Sequence, residues 1–158
     1  MTQEVRPPDQ DDPQVRPATP EDAAELARLM SLFNNESVSP AQAAARLKGL
    51  NGLETALLAC QGEEIVGLAC VRVSQALFGN APQAEIIEFY IEGGYRNGDT
   101  ERSMLRGVEN LARQRGANQV MLLAGLKNTD AQLVYRASGY QDYALAMRKR
   151  LLRGATII

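Results

Sequence analysis

The sequence predicts an α/β (α+β) fold, in which helices pack on a mixed β-sheet. Three apolar runs, at residues 54–60, 65–73 and 84–91, follow one another closely and are typical of an antiparallel meander. After them, helical and strand patterns alternate, which indicates β-α-β units and a parallel pair of strands. A polar loop joins the meander to the clearest helix of the chain, a layout that attracts an anion to the N-terminus of the helix.

A short strand and two helices precede the meander. Residues 15–18 predict an edge strand, where Pro17 is tolerated because an edge residue can do without a ladder hydrogen bond. Thr19 and Ser39 are each followed by proline, and a capping side chain before proline is typical of a helix start. Apolar residues at helical spacing follow both starts: Leu26, Leu29, Met30 and Phe33 in the first helix, and Ala44, Leu47 and Leu50 in the second.

A long helix and a short strand follow the polar loop. Residues 100–115 form an amphipathic helix, and residues 120–124 are apolar throughout, which indicates a buried, central strand. The strands at residues 84–91 and 120–124 should be parallel neighbours joined by this helix, because such crossovers are local and right-handed. The apolar stripe of the helix is Met104, Leu105, Val108, Leu111 and Ala112.

The chain is expected to end with one more helix and one more strand. Residues 129–138 predict a short helix that Gly139 stops, and residues 144–151 predict a last strand. A Pro- and Asp-rich leader, residues 1–14, is expected to be disordered, and residues 153–158 form a tail. One domain, residues 15–152, remains between them.

The composition excludes several classes of function. A net charge of −2 over 158 residues argues against nucleic acid as a partner. The chain has no histidine, so the commonest general base and zinc ligand is missing and no metal site is predicted. Cys60 and Cys70 lie in apolar runs and are expected to be buried free thiols. No stretch predicts a signal peptide or a membrane span, so we expect a cytoplasmic protein that does not bind a membrane.

Two stretches resemble the GNAT superfamily of N-acetyltransferases. Residues 89–96, FYIEGGYR, are similar to the family's strand that ends in LYV-x-P-x-YR, with Gly93 where the family usually has proline. Residues 128–140 resemble the family's N-x-x-A-x-x-x-Y-x-x-x-G-F/Y segment almost without a break. The resemblance covers residues 15–151 and implies a GNAT-like, mostly antiparallel mixed sheet of six to seven strands flanked by about four helices.

The resemblance also implies an acetyl-CoA-dependent N-acetyltransferase that acts on a small amine, as a monomer or a homodimer. Acetyl transfer from a thioester needs a base for the amine and an acid for the departing thiolate. Tyr135 resembles the family's general acid, and Glu88 lies where a glutamate often serves as base. Each has a structural alternative, since Tyr135 also suits packing on the sheet and Glu88 also suits a solvated strand position. The implied cofactor contacts are Tyr90, Ile91, Arg96, Asn97, Gly98, Asp99, Thr100, Glu101, Arg102 and Asn128, the last of which is also a common helix cap.

The polar loop departs from the family's cofactor pattern, Arg/Gln-x-x-Gly-x-Gly/Ala. Arg96 matches the first position, but Asp99 and Glu101 stand at the two small positions, and Gly98 lies one place early. Two like charges about 5 Å apart in a half-wet site cost roughly 1–3 kcal/mol per pair, so acetyl-CoA is expected to bind weakly. The same acids favour a helix start capped by Asp99 or Thr100, which satisfies the loop's own N–H groups without a phosphate. The alternative is a rearranged loop that uses Gly98 instead.

Three functions are therefore compatible with the sequence. The first is an N-acetyltransferase with weakened cofactor binding, and the second is a degenerate, non-catalytic GNAT-fold module for binding or regulation. The third is an oligomerising domain whose last strand and apolar tail, residues 155–158, pair with another subunit. The loop around Asp99 discriminates between the first two, and a size measurement tests the third.

Overall fold

The computed structural model describes residues 12–151, which form five strands and four α-helices. The predicted leader and tail fall outside the described residues, except that the first strand begins within the predicted leader. The strands are β1 (Gln14–Pro17), β2 (Glu54–Gln61), β3 (Glu64–Gln75), β4 (Pro82–Ile91) and β5 (Val120–Leu122). The helices are α1 (Ala23–Asn34), α2 (Pro40–Gly49), α3 (Asp99–Gln114) and α4 (Thr129–Ala137), and short 3₁₀ turns lie at Pro20–Asp22 and Gly93–Tyr95.

The five strands form one mixed sheet in the order β1-β2-β3-β4-β5. Neighbouring strands are antiparallel except β4 and β5, which run parallel with Ala84 opposite Val120 and Ile86 opposite Leu122. The chain passes from β4 to β5 through α3. The predicted meander and the predicted parallel pair with its connecting helix are therefore confirmed.

Buried apolar side chains form a cluster on each face of the sheet. On one face the predicted stripe of α3 packs on the strands, with Met104, Leu105 and Val108 fully buried. On the other face α1 packs through Leu26 and Leu29. The sheet is thus the middle layer of the domain. Both cysteines are free and buried, as expected, and none of the helices within residues 12–151 is long and apolar enough to cross a membrane.

Of the two helix starts predicted before the meander, the one at Ser39 uses the predicted capping side chain, and the one at Thr19 does not. Ser39 and Gln42 form a capping box, in which each side chain accepts a hydrogen bond from the other residue's N–H group, at 3.2 and 2.8 Å. After Thr19 the chain makes a 3₁₀ turn first, so α1 begins at Ala23. Asp22 fixes this turn, because its carboxylate accepts hydrogen bonds from the Thr19 N–H group and from Arg16. The Arg16 guanidinium holds the pKa of Asp22 well below its usual range.

Gly107 lets α3 approach β1 closely. A Cβ atom on Gly107 would lie 2.5 Å from Cγ1 of Val15 and 2.9 Å from its Cβ atom. Alanine normally stabilises a helix relative to glycine by about 1 kcal/mol. Here we expect Gly107→Ala to lower the free energy of unfolding by about 1–3 kcal/mol, because the added methyl group overpacks the contact. Urea denaturation followed by circular dichroism measures the change.

The matched control repeats Gly107→Ala in a Val15→Ala background. With both methyl groups of Val15 removed, only the Cβ atom of residue 15, at 2.9 Å, still crowds the added methyl group, so the substitution should destabilise the protein less than in the wild-type background. An equal loss of stability in both backgrounds would show that the cost does not come from the contact between α3 and β1.

Two strand predictions are wrong within residues 12–151. Residues 144–151 form no strand, so the sheet has five strands where six to seven were predicted. β5 spans only Val120–Leu122, and it lies at the edge of the sheet rather than at its centre. Both differences have one physical reason. A strand requires a second strand to complete its hydrogen-bond ladder, and no described segment pairs with the outer edge of β5.

Candidate active site

A cleft opens where β4 and β5 separate. Their parallel pairing stops at Ile86 and Leu122, although β4 continues to Ile91. Over residues 87–91, β4 pairs only with β3, so its other edge faces the cleft without a ladder among the described residues. The short β5 is therefore what leaves the end of β4 accessible from one side.

A β-bulge in β4 lies at the beginning of this cleft. Cys70 of β3 is opposite Glu88, whereas the next residue, Val71, is opposite Ile86, so Ile87 is an extra residue in β4. A bulge bends a strand and redirects the side chains that follow it. It places Glu88 on the face of the sheet that carries α1 and α2, and Phe89 on the face that carries α3.

Glu88 lines a cavity of about 240 Å³ between α1, α2 and the sheet. The lining is mostly apolar, and Glu88 and Arg46 are its charged members. An apolar cavity with a few convergent polar groups is typical of a site for a small molecule. The main apolar contributions come from Leu26, Leu29, Met30, Phe33, Leu47 and Tyr90.

Cys70 also lines the cavity, beside Glu88. Burial, together with the negative charges of Glu88 and Glu54, raises the pKa of the Cys70 thiol to about 11. The thiol is therefore protonated at neutral pH and is a poor nucleophile. Arg46 is a cation without acceptor capacity, so the carboxylate of Glu88 is the group in this cavity suited to accept a proton.

Arg96 anchors the polar loop to the end of β4. Its Nε donates a hydrogen bond to the carbonyl oxygen of Ile91 at 2.7 Å, and its guanidinium carbon lies 5.4 Å from the centre of the Tyr90 ring. The three residues were all predicted as cofactor contacts. The structure brings them together, and their shared role here is to hold the loop in place.

Side chains of the loop itself cap the N-terminus of α3. Oδ1 of Asn97 accepts hydrogen bonds from the N–H groups of Asp99 and Thr100, at 3.0 and 3.1 Å. Oε2 of Glu101 accepts a hydrogen bond from the N–H group of Gly98 at 2.8 Å, where the backbone has a φ of 86° that favours glycine. Three N–H groups available for an anion are thus occupied. Of the two arrangements that the sequence left open, the loop has the one in which its own side chains accept these hydrogen bonds, but Asn97 is the cap rather than Asp99 or Thr100.

The two acids of the loop lie in different environments. The carboxylate of Glu101 lies at the helix start, and the residue is only 9% exposed. The Asp99 side chain is 71% exposed and forms an ion pair with Arg102. Thr100 is fully buried, and its hydroxyl has no hydrogen-bond partner among residues 12–151. The carboxylate of Glu101, rather than that of Asp99, is therefore the one that would repel a phosphate at the start of α3.

Tyr135 lies on α4 and packs against the α3 face of the sheet. Its ring makes edge contacts with Phe89 and Tyr140, with centroids 5.9 and 6.3 Å apart. Burial, and to a smaller extent the charge of Glu101, raise the pKa of Tyr135 above its ordinary value. The phenol therefore keeps its proton at neutral pH. Since Phe89 follows Glu88 in β4, the two candidate catalytic residues lie on opposite faces of one strand beside the cleft.

The other predicted contact on α4, Asn128, caps that helix. Its Oδ1 accepts a hydrogen bond from the N–H group of Ala131 at 3.3 Å. Asn128 therefore has the role of a helix cap, which is the alternative to cofactor contact that the sequence allowed. Contact with a cofactor remains a prediction for this exposed residue.

Sequence reasoning missed most of the cavity. Met30 and Phe33 continue the helical spacing of Leu26 and Leu29, but Met30 is only partly buried, Phe33 is 48% exposed, and both line the cavity. Arg46 was not predicted at all. No pattern in the sequence distinguishes it from other exposed cations, because the cavity exists only once α2 has packed beside the sheet.

Comparison with known families identifies this arrangement. The model of the acetyltransferase (GNAT) family matches residues 23–140. The chain belongs to the GNAT acetyltransferase family. The predicted resemblance is thereby confirmed, and the matched residues span the elements from α1 to α4, which enclose the cavity and the cleft. No curated protein sequence matches this GNAT domain.

Solved structures share the same fold. A presumed acetyltransferase from Agrobacterium tumefaciens has a TM-score of 0.80 at 20% identity, covering 87% of this chain and 99% of the other. A second, from Arthrobacter sp. FB24, has a TM-score of 0.75 at 27% identity, covering 88% and 96%. An aminoglycoside acetyltransferase from an uncultured soil metagenomic sample, in complex with sisomicin, has a TM-score of 0.75 at 16% identity, covering 89% and 97%.

Acetyl-CoA is the donor that the family typically uses. The cleft of this GNAT domain suits the amide-bearing arm of this molecule but not its diphosphate. The open edge of β4 along residues 87–91 suits the amide-bearing arm of CoA, which can bond to it as an added strand would. The N-terminus of α3 does not fit a diphosphate as it is arranged. Asn97 and Glu101 occupy the N–H groups, and the Glu101 carboxylate repels an anion.

Proposed function

We propose that this GNAT domain is an N-acetyltransferase that uses acetyl-CoA, binds this donor weakly, and acts on a small amine with an apolar body. The observation that carries the proposal is the position of Glu88, which the bulge of β4 places between the open edge of the strand and the apolar cavity. A base at this point lies beside both an acceptor cavity and a donor cleft.

The shape and chemistry of the cavity support the choice of acceptor. Its lining is mostly apolar, so burying an apolar body there gains about 25 cal/mol per Å². Glu88 supplies a negative charge for an ammonium group at one wall, and Arg46 supplies a positive charge that disfavours a second cationic group. These features favour a single primary amine on an apolar body over a polycationic sugar such as an aminoglycoside.

Glu88 and Tyr135 have complementary roles in this proposal. The Glu88 carboxylate accepts a proton from the acceptor's ammonium group, since an amine becomes a nucleophile only after it loses that proton. Tyr135 holds a proton at its phenolic oxygen on the other side of β4, where the raised pKa keeps it available for a departing anion. Acetyl-CoA, when bound, supplies the acetyl group.

Tyr135→Phe tests the role of the phenol. We expect kcat to fall by about 10²-fold with little change in KM, because a proton donor acts in the transition state rather than in the ground state. The ring contacts with Phe89 and Tyr140 remain in the variant, so the fold should be unaffected. Initial rates of thiol release from acetyl-CoA measure the effect.

Tyr140→Phe is the matched control for this substitution. Tyr140 belongs to the same aromatic cluster, but its hydroxyl faces Glu109 of α3 at 3.4 Å, away from the cleft. Its kcat should stay within about twofold of wild type. Full turnover of Tyr135→Phe, under conditions in which chemistry limits the rate, contradicts the role of the phenol.

The direct experiment on the proposed function combines binding with transfer. Calorimetry with acetyl-CoA measures donor binding, and thiol release in the presence of 2-phenylethylamine or sisomicin compares an apolar amine with a polycationic one. The proposal expects weak binding of acetyl-CoA and faster acetylation of 2-phenylethylamine. Faster acetylation of sisomicin contradicts the proposed acceptor class.

A non-catalytic GNAT module is the second candidate, and one observation favours it. The N-terminus of α3 already satisfies its own N–H groups, so the fold needs no donor to complete this site. If neither the wild-type protein nor a variant without Glu101 binds acetyl-CoA, the second candidate replaces the first.

A further inference from the structure

The cavity beside Glu88 contains two opposite charges that do not pair with each other. Arg46 of α2 and Glu88 of β4 both line it, and within residues 12–151 neither side chain forms an ion pair or a hydrogen bond. Each charge therefore has its pairing capacity available to a ligand. Two such groups of opposite sign in one cavity are complementary to a ligand that itself carries both charges.

Three residues in one row across the sheet form the floor of the cavity. Ala56 of β2 lies opposite Cys70 of β3, and Cys70 lies opposite Glu88 of β4. Neighbouring strands are about 4.8 Å apart, so the row extends about 10 Å across the sheet. The first two side chains are small and buried. The row therefore leaves space above its small members and places one negative charge at its β4 end.

Exposure divides the cavity into a deep apolar end and a charged opening. Among the apolar lining residues, Leu26 and Leu29 of α1 are at most 1% exposed, and Leu68 of β3 is also buried. The two charged lining residues, Arg46 and Glu88, are both exposed. A ligand therefore meets both charges at the opening, and only its apolar part gains from reaching the deep end.

A simple amine satisfies only one of the two charges. Its ammonium group pairs with Glu88, but Arg46 at the same opening then repels it. An amine that also carries a carboxylate pairs with both residues, because a guanidinium group offers a carboxylate two parallel N–H donors.

The position of the two charges decides which amine fits. An α-amino acid carries its ammonium and carboxylate groups on one carbon atom, with its side chain at the other end of the molecule. An ω-amino acid instead places its apolar chain between the two charged groups. A cavity with both charges at the opening and an apolar deep end matches the first distribution and not the second.

We propose that the acceptor is an α-amino acid with an apolar side chain. Its carboxylate binds Arg46, its ammonium group binds Glu88, and its side chain fills the deep end of the cavity. This inference rests on the proposed acetyltransferase function and adds Arg46 to it as the residue that determines specificity for a carboxylate. The role of Glu88 is unchanged, since the carboxylate that holds the ammonium group also accepts its proton.

Calorimetry without a donor tests this site with two matched pairs of ligands. L-phenylalanine and L-leucine are compared with 2-phenylethylamine and 3-methylbutylamine, which are the same molecules without the carboxylate. At least one amino acid should bind about 10–100-fold more tightly than its amine, the usual effect of hydrogen bonds between charged groups. If neither amino acid binds, or if neither binds more tightly than its amine, the proposal is wrong.

Arg46→Gln tests whether this residue causes the preference, and Lys48→Gln is its matched control. Both substitutions remove a positive charge from the last turn of α2, but Lys48 is exposed and does not line the cavity. The preference for the amino acid should fall below about threefold in Arg46→Gln and stay at the wild-type value in Lys48→Gln. Because the preference is a ratio of two affinities of one variant, a loss of folded protein does not change it. A preference that survives Arg46→Gln, or that disappears in Lys48→Gln, overturns the proposal.

Transfer assays distinguish a failure of this proposal from a failure of the proposed function. Thiol release at a fixed concentration of acetyl-CoA compares the same four acceptors, and kcat/KM should be about tenfold or more higher for the preferred amino acid than for its amine. Faster acetylation of both amines than of both amino acids keeps the acetyltransferase and overturns the amino acid as acceptor. Tight binding of an amino acid that depends on Arg46, without thiol release, supports the site and contradicts the proposed transfer.

Discussion

Glu88→Gln is expected to lower kcat for acetylation of a small amine by about 10²–10⁴-fold, the usual contribution of a general base. The substitution keeps the size of the side chain and its hydrogen-bonding capacity at the wall of the cavity, and it removes the ability to accept a proton. KM for the amine should rise as well, because an amide no longer attracts an ammonium group. Initial rates of thiol release at saturating donor measure kcat directly.

Glu85→Gln is the control for this prediction. Glu85 lies three residues earlier on β4, where the strand is still paired with Met121 of β5, and it is not part of the cavity lining. The same chemical change at this position should leave kcat within about twofold of wild type. A Glu88→Gln enzyme that keeps full turnover shows that another group, or water, takes the proton.

Glu101→Gly is expected to tighten acetyl-CoA binding by roughly 5–150-fold, the effect of removing 1–3 kcal/mol of repulsion. The substitution also frees the Gly98 N–H group, which the Glu101 carboxylate occupies at 2.8 Å. The same change should lower the free energy of unfolding by about 1–2 kcal/mol, since α3 loses a cap and gains a glycine in its first turn. Calorimetry with acetyl-CoA and urea denaturation measure the two effects.

Asp99→Gly distinguishes the effects of the two loop acids on acetyl-CoA affinity. Sequence reasoning treats Asp99 and Glu101 alike, but Asp99 is exposed and paired with Arg102, so its removal should change affinity by less than about threefold. High salt should weaken the effect of Asp99→Gly and largely spare that of Glu101→Gly, because a buried charge is poorly screened. Low-micromolar affinity in the wild type, unchanged by Glu101→Gly, would show that a diphosphate binds without displacing this carboxylate.

Local patterns predicted most of the fold, because the interactions that start a helix, and the alternation of side chains along a strand, involve residues close together in the sequence. The helix start at Ser39 and the apolar stripe of α3 were both confirmed in this way. The position of β5 was not predicted correctly, because the apolar run at residues 120–124 does not indicate whether another strand pairs with its outer edge. The same limit applies to residues 144–151, whose pattern is that of a strand although no described strand pairs with them.

For the candidate site, the sequence by itself determined the family, the strand that carries Glu88, and the presence of two acids at the start of α3. Those features depend only on residue types and on short spacings along the chain. Only the tertiary structure decided which acid faces the helix start, that Asn97 supplies the cap, and that an apolar cavity with Arg46 lies beside Glu88. These features depend on the direction of each side chain and on how α1 and α2 pack on the sheet. Contacts between residues that are distant in the sequence determine both.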